Sequence, residues 1–502
     1  MPLKRNIIAN YVGQGWSAVM GLAFIPLYIQ YLGMEAYGLI GLFAVMQAWL
    51  TMLDMGMTPT LNREMARFTA GAHSPQSIND LLRSLEIIAI GIGAIICILV
   101  WLVSDYLANQ WLKADKLPVS VIAQAISIMG VVVALRFVES IYRGSLLGLQ
   151  QQVWYNIVNA AIATLRHGGV VMVLALISPS IQIFFLWQIA VSIVAVGVLA
   201  HGVHSELPRP PLAPRFKFAA ILEVWKFAGG VMAVTLLAIL LTQIDKVLLS
   251  RLLTLEAFGF YTLAATVAGV LYVVTGPVIN AFYPRMVELL TQEDESALAS
   301  LYHQAGQLIT VLIAPAVMLL CVFSEKVIFV WSGDPNLVEN TAPILSVFVI
   351  GVFLNCLMHM PAQLQLASGW VSLSIKTNLV AVIVLIPAIF WVVPRYGVIG
   401  AAWIWVTLNA GYILVAIQLM HRRLIPNEKW KWYFADVLIP AIGVAGIVLL
   451  AEQFQPANYQ NRWKDLVFLL IVGTLALLIA ALLANRVKAR LWAVFKSKAA
   501  DA

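Results

Sequence analysis

Charged residues are scarce in this chain. Asp, Glu, Lys and Arg make up 11% of its 502 residues and 62% are hydrophobic, whereas charged residues form about 25% of an ordinary soluble protein. Apolar runs of about 20 residues recur along the whole sequence, and that length crosses a hydrocarbon core of about 30 Å. These observations exclude a soluble globular protein and predict an all-α polytopic membrane protein.

Cysteines and clustered metal ligands are also rare. Cys97, Cys321 and Cys356 lie in or beside apolar segments and indicate no disulfide framework, and the seven histidines are scattered without metal-ligand spacing. The sequence has no Walker A loop, so this chain itself hydrolyses no ATP. We therefore expect no cofactor and no metal, and we expect any energy input to come from an ion gradient or from the substrate's own disequilibrium.

The apolar runs predict about fourteen transmembrane helices. The first run, from Ile7 to about Leu32, is longer than the central region of a secretory signal and has no cleavage site behind it, so we interpret it as an uncleaved helix. If the N-terminus is cytoplasmic, about 20 Lys and Arg residues lie on the cytoplasmic side and about 7 on the other. That asymmetry predicts that both termini are cytoplasmic. The net charge of +7 then reflects topology and gives no support for nucleic acid binding.

One short motif occurs twice in the sequence. Residues Leu32–Leu39 (LGMEAYGL) recur as Leu253–Phe260 (LTLEAFGF), with four of eight positions identical and an offset of 253 − 32 = 221. Each copy joins one apolar run to the next, which predicts two homologous helical lobes that rock around a central site, as in transporters built from repeats. We interpret the turn itself as structural, because its glutamates are predicted at the outer surface and its glycines let the chain reverse tightly.

A proline-rich stretch separates the two lobes. Four prolines lie within seven residues, from Pro208 to Pro214, and cannot continue a helix. The predicted lobes each have six pseudo-repeated helices, and the last two helices have no counterpart in the repeat. The predicted organisation is an N-terminal lobe at 1–203, a cytoplasmic linker and interfacial segment at 204–225, a C-terminal lobe at 226–421, two additional helices at 422–485 and a basic cytoplasmic tail at 486–502.

Several ionisable residues fall inside the apolar runs, where each costs about 2.5–3.5 kcal/mol to insert. The fourth predicted helix carries Arg136, Glu139 and Arg143 on one face, and the fifth carries Arg166 near its middle. One interpretation is an electropositive cavity for an anionic head group, because arginine stays charged and pairs bidentately with phosphate. The other is an intrahelical ion-pair ladder that neutralises itself. The predicted substrate-binding residues are Arg136, Arg143, Arg166 and Lys246, and the candidate ion-coupling residues are Glu139, Asp245, Asp54 and His359.

Six segments, spread in order over almost the whole chain, resemble the oligosaccharide flippases of the polysaccharide-biosynthesis type (Wzx-like). These segments are Asn10–Trp16, Tyr31–Leu39, Leu53–Pro59, Gln243–Leu249, Glu256–Tyr261 and Tyr396–Ala402. The resemblance implies membership of the multidrug/oligosaccharidyl-lipid/polysaccharide exporter superfamily and, by similarity, assigns Asp245 and Lys246 to the cavity. The first helix has no charge between Asn6 and Tyr31, unlike the arginine-rich first helix typical of the lipid II flippases in that superfamily.

The resemblance also implies a function. It indicates a flippase that moves undecaprenyl-diphosphate-linked oligosaccharide from the cytoplasmic to the periplasmic leaflet of the bacterial inner membrane by alternating access, coupled to H+ or Na+, for O-antigen, capsule or exopolysaccharide biosynthesis. The expected partners are that substrate, membrane lipid, and a polysaccharide polymerase with its chain-length regulator.

Two alternatives stay open. The first is a multidrug exporter, or an exporter of other lipids or small molecules, from the same superfamily; cationic drugs favour an acidic cavity, whereas the charges at depth are net basic here. The second is a membrane enzyme such as a polysaccharide polymerase or ligase. Such enzymes usually need a substantial loop outside the membrane, and the longest outer loops here have only about 15 residues.

Overall fold

The computed structural model describes residues 3–54, 56–218, 239–455, 461–490 and 492 of the chain. Nearly all of them are helical, and within these ranges the extended pairing is confined to an isolated bridge between Lys113 and Thr254. The chain divides into two units, an N-terminal unit at Met1–Gly259 and a C-terminal unit at Phe260–Ala502. The predicted all-α, polytopic fold class is confirmed.

The N-terminal unit holds ten described helices and the beginning of an eleventh. They are α1 (Leu3–Ala23), α2 (Ile25–Leu32), α3 (Met34–Leu53), α4 (Met57–Thr69), α5 (Pro75–Tyr106), α6 (Val119–Gly148), α7 (Gln152–Thr164), α8 (Val170–Leu176), α9 (Ile181–Glu206), α10 (residues 239–252) and α11 (Leu255–Thr291). Two π-helical turns, Leu107–Trp111 and Leu165–Gly169, continue α5 and α7.

The C-terminal unit continues α11 and adds a second series of helices. These are α12 (Glu295–Val322), α13 (Ser324–Ser332), α14 (Pro335–Leu357), α15 (His359–Ala367), α16 (Val371–Gly411), α17 (Ile417–Leu424), α18 (Lys429–Lys431), α19 (Ile439–Glu452) and α20 (Arg462–Leu483). Two further π-helical turns, Tyr412–Ala416 and Trp432–Leu438, precede α17 and α19.

Eleven helical stretches of the described chain are long and apolar enough to cross a membrane. The longest of them, Val371–Leu424, contains α16, whose backbone breaks at Gly397 with φ 58° and ψ −143°. Glycine tolerates this positive φ. The break falls between two predicted transmembrane helices, at about 373–393 and 398–420. Part of the seventh predicted span lies outside the described residues, so the count of fourteen stays a prediction.

Helix α6 lies at the centre of the N-terminal unit, packed against α4, α5 and α9. Gly144 and Gly148 on α6 have a spacing that lets two membrane helices approach closely. A Cβ atom at Gly144 would lie 2.7 Å from the carbonyl oxygen of Thr58, and one at Gly148 would overlap the carbonyl oxygen of Asn62. The two glycines therefore bring the start of α4 close to α6, on a side of α6 next to its charged face.

The repeated turn is held by a loop of the same unit. The buried Glu35 carboxylate accepts hydrogen bonds from the backbone N–H groups of Asp115, Lys116 and Leu117 at 2.7–3.0 Å. The equivalent glutamate, Glu256, pairs with the Lys116 ammonium at 2.9 Å. Both copies of the motif thus anchor one loop, in agreement with a structural role for the turn.

The glycines of the two motif copies approach each other's helices reciprocally. A Cβ at Gly38 would overlap the carbonyl oxygen of Leu255, and a Cβ at Gly259 would lie 2.7 Å from the carbonyl oxygen of Met34. The repeat offset of 221 relates Gly38 to Gly259 and Met34 to Leu255. The sequence repeat is therefore also a contact between equivalent positions.

Part of the proline-rich linker lies along α5. Asp80 accepts a hydrogen bond from the Arg215 backbone N–H at 2.9 Å and pairs with the Lys217 ammonium at 2.7 Å. Gln76 and Ser84, one helical turn to either side, accept hydrogen bonds from the backbone N–H groups of Leu212 and Lys217. Side chains spaced four residues apart on α5 thus hold the extended linker.

Helix α12 lies at the centre of the C-terminal unit, against α14, α19 and α20. Its apolar contacts with the last two helices are fully buried and include Val311 and Ala314 on α12, Val444 and Val448 on α19, and Ala476 and Ala480 on α20. A buried ion pair between Lys326 and Asp465, at 3.2 Å, adds a polar contact between α13 and α20. The additional helices are therefore integral to the packing of this unit.

Three predictions fall partly outside the described residues. The interfacial end of the 204–225 linker enters the range 219–238, which also takes in the start of the 226–421 lobe. Most of the 486–502 tail lies beyond residue 490. The predicted boundaries of the lobes, the two additional helices at 422–485 and the tail stay predictions.

Candidate functional site

A polar cavity of about 500 Å³ lies inside the N-terminal unit. It is bounded by α3, the start of α4, α6, α7 and the π-helical turn after α7. Five of the eight residues predicted from their charge at depth line it: Arg136, Arg143, Arg166, Glu139 and Asp54. The cavity thus gathers side chains from these five elements into one charged site.

Helix α6 supplies the longest charged face of this cavity. Arg136, Glu139 and Arg143 follow one another at intervals of three and four residues, so they point to the same side of the helix. Ser140 and Phe137 line the cavity beside them. The predicted polar face on this helix is therefore present as a continuous wall.

The carboxylate on α6 pairs with an arginine from another segment. Arg166 Nη2 donates to Glu139 Oε2 at 2.5 Å, and both side chains are 14% exposed. The alternative of an intrahelical ladder within α6 is not what this geometry shows, because the close partner of Glu139 lies across the cavity, on the turn after α7. Arg136 and Arg143 therefore add positive charge that this pair leaves uncompensated.

Arg166 lies on a π-helical turn, Leu165–Gly169, in the middle of the predicted fifth span. Such a turn widens the backbone and disturbs its regular carbonyl pairing, and π-turns are frequent at functional sites. Two neighbouring residues of α9 donate to its carbonyl oxygens: Trp187 Nε1 to Leu165 at 2.8 Å and Gln188 Nε2 to Arg166 at 3.2 Å. Gly169 permits the approach, since a Cβ there would lie 2.6 Å from the Trp187 ring.

Arg136 is held by neutral neighbours. Its Nη2 donates to Gln188 Oε1 at 3.0 Å, and its guanidinium lies 5.0 Å from the centre of the Phe43 ring. The same Gln188 side chain therefore contacts both Arg136 and the backbone of Arg166. The buried Nε atoms of Arg136 and Arg166 have no hydrogen-bond partner among the described residues, so each guanidinium keeps donor capacity.

Asp54 has a local structural partner as well as a place in the cavity wall. Its carboxylate accepts from the Thr58 backbone N–H at 3.2 Å and from the Thr58 hydroxyl at 2.7 Å. These bonds satisfy a free donor in the first turn of α4. Thr58 in turn lies 3.3 Å from the Ser140 hydroxyl of α6. Asp54 thus fixes the segment that closes this side of the cavity.

The other three predicted residues lie elsewhere. Asp245 and Lys246 are on α10, and the Lys246 ammonium is 3.4 Å from Gln243 Oε1 on the same helix. His359 begins α15 in the C-terminal unit, with the Tyr272 ring 6.0 Å from its own. None of the three lines the cavity described above, and their roles stay predictions.

Neutral polar residues complete the cavity and were missed from the sequence. Gln47, Tyr155 and Asn159 line it, and the Nε2 atom of Gln47 is buried without a hydrogen-bond partner among the described residues. The only available signal was an amide inside an apolar run, which is weaker than a charge. Within the described ranges, no three His, Cys, Asp or Glu side chains lie where they would hold a metal ion.

The fold and the cavity define a class. Two units of membrane-crossing helices, one enclosing a charged cavity, are the construction of a polytopic membrane transporter. The chain belongs to the polysaccharide biosynthesis protein family, whose sequence model matches residues 3–290. The predicted resemblance is confirmed.

Two curated relatives extend this likeness. A Shigella flexneri protein named as a candidate O-antigen transporter is 19% identical over 407 residues, covering 81% of this chain and 94% of that protein. The lipopolysaccharide biosynthesis protein WzxC of Escherichia coli (strain K12) is 23% identical over 435 residues, covering 83% of this chain and 80% of that protein.

Solved structures show the same fold. The lipid II flippase MurJ in an inward closed conformation matches with a TM-score of 0.70 at 13% identity, covering 95% of this chain and 98% of that one. An inward-facing MATE family multidrug resistance transporter of the MOP superfamily matches with a TM-score of 0.65 at 12% identity, covering 81% and 94%. The expectation that this chain is a transporter rather than an enzyme is confirmed.

Proposed function

We propose that this chain moves undecaprenyl-diphosphate-linked oligosaccharide from the cytoplasmic to the periplasmic leaflet of the bacterial inner membrane by alternating access. The product serves O-antigen, capsule or exopolysaccharide synthesis. The names of the two curated relatives, one for O-antigen transport and one for lipopolysaccharide biosynthesis, support this class of substrate.

The observation that carries the proposal is the charge of the cavity in the N-terminal unit. Three arginines and two carboxylates line it, a formal balance of 3 − 2 = 1 positive charge. Arginine offers a planar fork of donors that matches phosphate oxygens. A diphosphate carried on a lipid therefore gains charge-assisted hydrogen bonds here, whereas a cationic drug meets repulsion.

The Arg166–Glu139 pair provides a route to ion coupling. When diphosphate oxygens take Arg166 as their partner, Glu139 loses its counter-ion in a poorly hydrated site. An uncompensated carboxylate in such a site is costly, so Glu139 binds a proton, or a Na+ ion, as the substrate arrives. Release of the substrate lets Arg166 return to Glu139 and expels the ion. In this scheme the ion therefore binds and leaves together with the substrate, at one arginine and its carboxylate.

The same proposal covers orientation and partners. Both termini are placed in the cytoplasm, because basic residues are far more frequent on that predicted side. The translocated oligosaccharide then reaches a polysaccharide polymerase and its chain-length regulator on the periplasmic face.

Host cells that lack the gene test the proposal. They are complemented with the wild-type chain, Arg136→Gln, Arg166→Gln or Arg63→Gln, and surface polysaccharide and protein abundance are measured together. Arg63 is the matched control, since its side chain is 51% exposed and lies outside the cavity. We expect the two cavity variants to abolish surface polysaccharide at normal abundance and the control to retain it. Wild-type polysaccharide in Arg166→Gln contradicts the proposal, and resistance to cationic dyes without any change in polysaccharide indicates a drug exporter instead.

A further inference from the structure

A second buried ionic cluster lies in the C-terminal unit and uses none of the residues predicted from the sequence. His303 on α12 is 2% exposed and stands between two carboxylates. Its Nδ1 is hydrogen-bonded to Asp436 Oδ2, on the π-helical turn before α19, and its Nε2 lies 2.8 Å from Glu428 Oε2. One imidazole thus joins α12 to the segment that leads into the additional helices.

The hydrogen-bond inventory of this cluster requires an extra proton. An ionised carboxylate only accepts hydrogen bonds, and a neutral imidazole has one N–H donor for its two nitrogens. Both ring nitrogens of His303 face carboxylate oxygens, so both contacts are hydrogen bonds only when the imidazole carries two protons or one carboxyl is protonated. Asp436 Oδ1 already accepts from Gln307 Nε2 at 3.0 Å, so that oxygen is satisfied separately.

The surrounding charges favour the protonated state. Lys431 Nζ donates to Glu428 Oε1 at 2.9 Å. Counting only side chains in direct contact, the group of His303, Lys431, Asp436 and Glu428 sums to 2 − 2 = 0 with a protonated imidazole and to one net negative charge without it; Arg486 adds a positive charge near Asp436 at longer range. Buried charges persist when they are paired, so the proton completes the cluster.

Other polar groups pack around His303 and leave this balance in place. Tyr302 lies on the same helix, and its ring contacts the His421 ring of α17. Lys429 Nζ donates to Gln418, and the Arg486 guanidinium donates to Ser300 while its backbone N–H donates to Gln307. Each neighbouring cation therefore has a partner other than the imidazole.

The cluster also has a side open to water. Asp436 is 1% exposed, but the Glu428 side chain is 19% exposed and that of Lys431 is 65% exposed. Glu428 is therefore the group through which a proton reaches the buried imidazole. The contacts of Gln307 with both Asp436 and the Arg486 backbone N–H extend the network to the chain just beyond α20.

We propose that His303, Asp436 and Glu428 form a proton-binding site that fastens the two additional helices to α12. The bound proton supplies the second hydrogen bond of the imidazole, and its loss leaves a lone pair facing a buried carboxylate. This site lies in the C-terminal unit and shares no residue with the arginine cavity. The inference goes beyond the proposed function and does not depend on which substrate is carried.

Thermal unfolding of the purified full chain in detergent tests this site between about pH 5 and pH 8, where an imidazole titrates. The variants are His303→Gln and Glu428→Gln, with His201→Gln as the control for a histidine that is exposed. As the pH rises, we expect the unfolding midpoint to fall by about 2–4 °C more in the wild type and the control than in both cluster variants; the fall that all four share comes from the other titrating groups.

Glu428→Gln keeps the test decisive if His303→Gln does not fold, because a neutral amide at the partly exposed position removes the need for the second proton. A pH dependence in Glu428→Gln equal to that of the wild type overturns the proposal. Since no transport is measured, failure here leaves the flippase assignment untouched, and failure of the flippase assignment leaves this result unchanged.

Discussion

The two units bury charge in different ways. In the N-terminal unit, Arg166 and Glu139 are each 14% exposed, line a cavity of about 500 Å³ and lie beside two further arginines. In the C-terminal unit, Lys326 and Asp465 are 7% and 2% exposed and connect two packed helices. The first arrangement lines a cavity, whereas the second lies between packed helices and lines no described cavity.

Net charge and the presence of a cavity distinguish a binding site from a structural ion pair. Taking a charge out of water is costly, and a protein recovers that cost by supplying partners. The Lys326–Asp465 pair supplies one such contact between packed helices, although Asp465 Oδ2 has no hydrogen-bond partner among the described residues. The N-terminal cavity keeps an excess of positive charge and leaves the Nε atoms of Arg136 and Arg166 without described partners. Buried atoms without partners thus occur in both units, and the distinguishing feature of the N-terminal site is a net positive charge beside a cavity, which we propose is completed by an anionic ligand.

The largest loss of stability is expected when the buried ion pair of Lys326 and Asp465 is broken. Lys326→Met leaves the Asp465 carboxylate buried without its cation, which costs about 3–5 kcal/mol of unfolding free energy. Unfolding of the purified variant in denaturant or by heat measures this. Lys464→Met, at an exposed position two residues from Arg462, is the control and should leave stability unchanged. A loss in Lys326→Met no larger than that of the control contradicts the distinction between the units.

A smaller loss is expected at Gln188, which links two arginines of the cavity. Gln188→Leu removes the bonds to the Arg136 guanidinium and to the Arg166 carbonyl oxygen, and we expect a loss of about 1–3 kcal/mol. Surface polysaccharide should fall less than in Arg136→Gln, because all cavity charges remain. Gln188→Glu keeps an acceptor for Arg136 and should restore part of the stability. Full surface polysaccharide and an unchanged unfolding free energy in Gln188→Leu would show that Gln188 does not support the two arginines.

Neutralising the cavity pair tests whether its role is binding or structure. In the double variant Glu139→Gln with Arg166→Gln neither charge is left buried without its partner, so stability should change by only about 1 kcal/mol. Transport should nevertheless be lost, because the Arg166 guanidinium is no longer present to pair with the diphosphate. Surface polysaccharide and the unfolding midpoint are measured on the same preparations. Retained transport with retained stability means that the pair only neutralises itself.

The smallest effect is expected at the exposed pair of Lys116 and Glu256. The Glu256 carboxylate, hydrogen-bonded to Lys116, raises the pKa of that ammonium above its ordinary value. Any stability that the charged Lys116 ammonium contributes through this pair is therefore complete at neutral pH. It is lost as the pH rises above about 10.5. The Lys116 side chain is 69% exposed, so water and salt screen the pair. Lys116→Met should leave the unfolding midpoint at pH 7 unchanged within error, and a clear decrease contradicts this view of the loop.

The sequence predicted the charges that line the cavity better than it predicted their partners. Arg136, Glu139, Arg143 and Arg166 were recognisable because ionisable residues inside apolar runs are costly and rare. The pairing of Glu139 with Arg166 was not, since it depends on a π-helical turn that leaves no periodic signal. Gln188 was invisible for another reason: an amide carries no charge, and its two contacts come from segments distant in the chain.

The same limits apply to the rest of the fold. The contacts of Glu35 and Glu256 agree with the structural interpretation of the repeated turn, and the reciprocal approach of Gly38 and Gly259 gives a packing reason for glycine in both copies. The cluster around His303 was not predicted because His303 and Asp436 are separated by 133 positions and belong to no common motif. Only helix packing brings such residues together.

Binding of undecaprenyl diphosphate to the purified protein tests the central claim most directly. Native mass spectrometry compares the wild type, Arg166→Gln and Arg63→Gln, with neutral undecaprenol as the control lipid. We expect the diphosphate to bind the wild type and Arg63→Gln equally, and at least about tenfold more weakly to Arg166→Gln, because one charge-assisted contact is lost. Equal binding of the diphosphate by all three proteins would contradict the assignment of the arginine cavity to an anionic lipid.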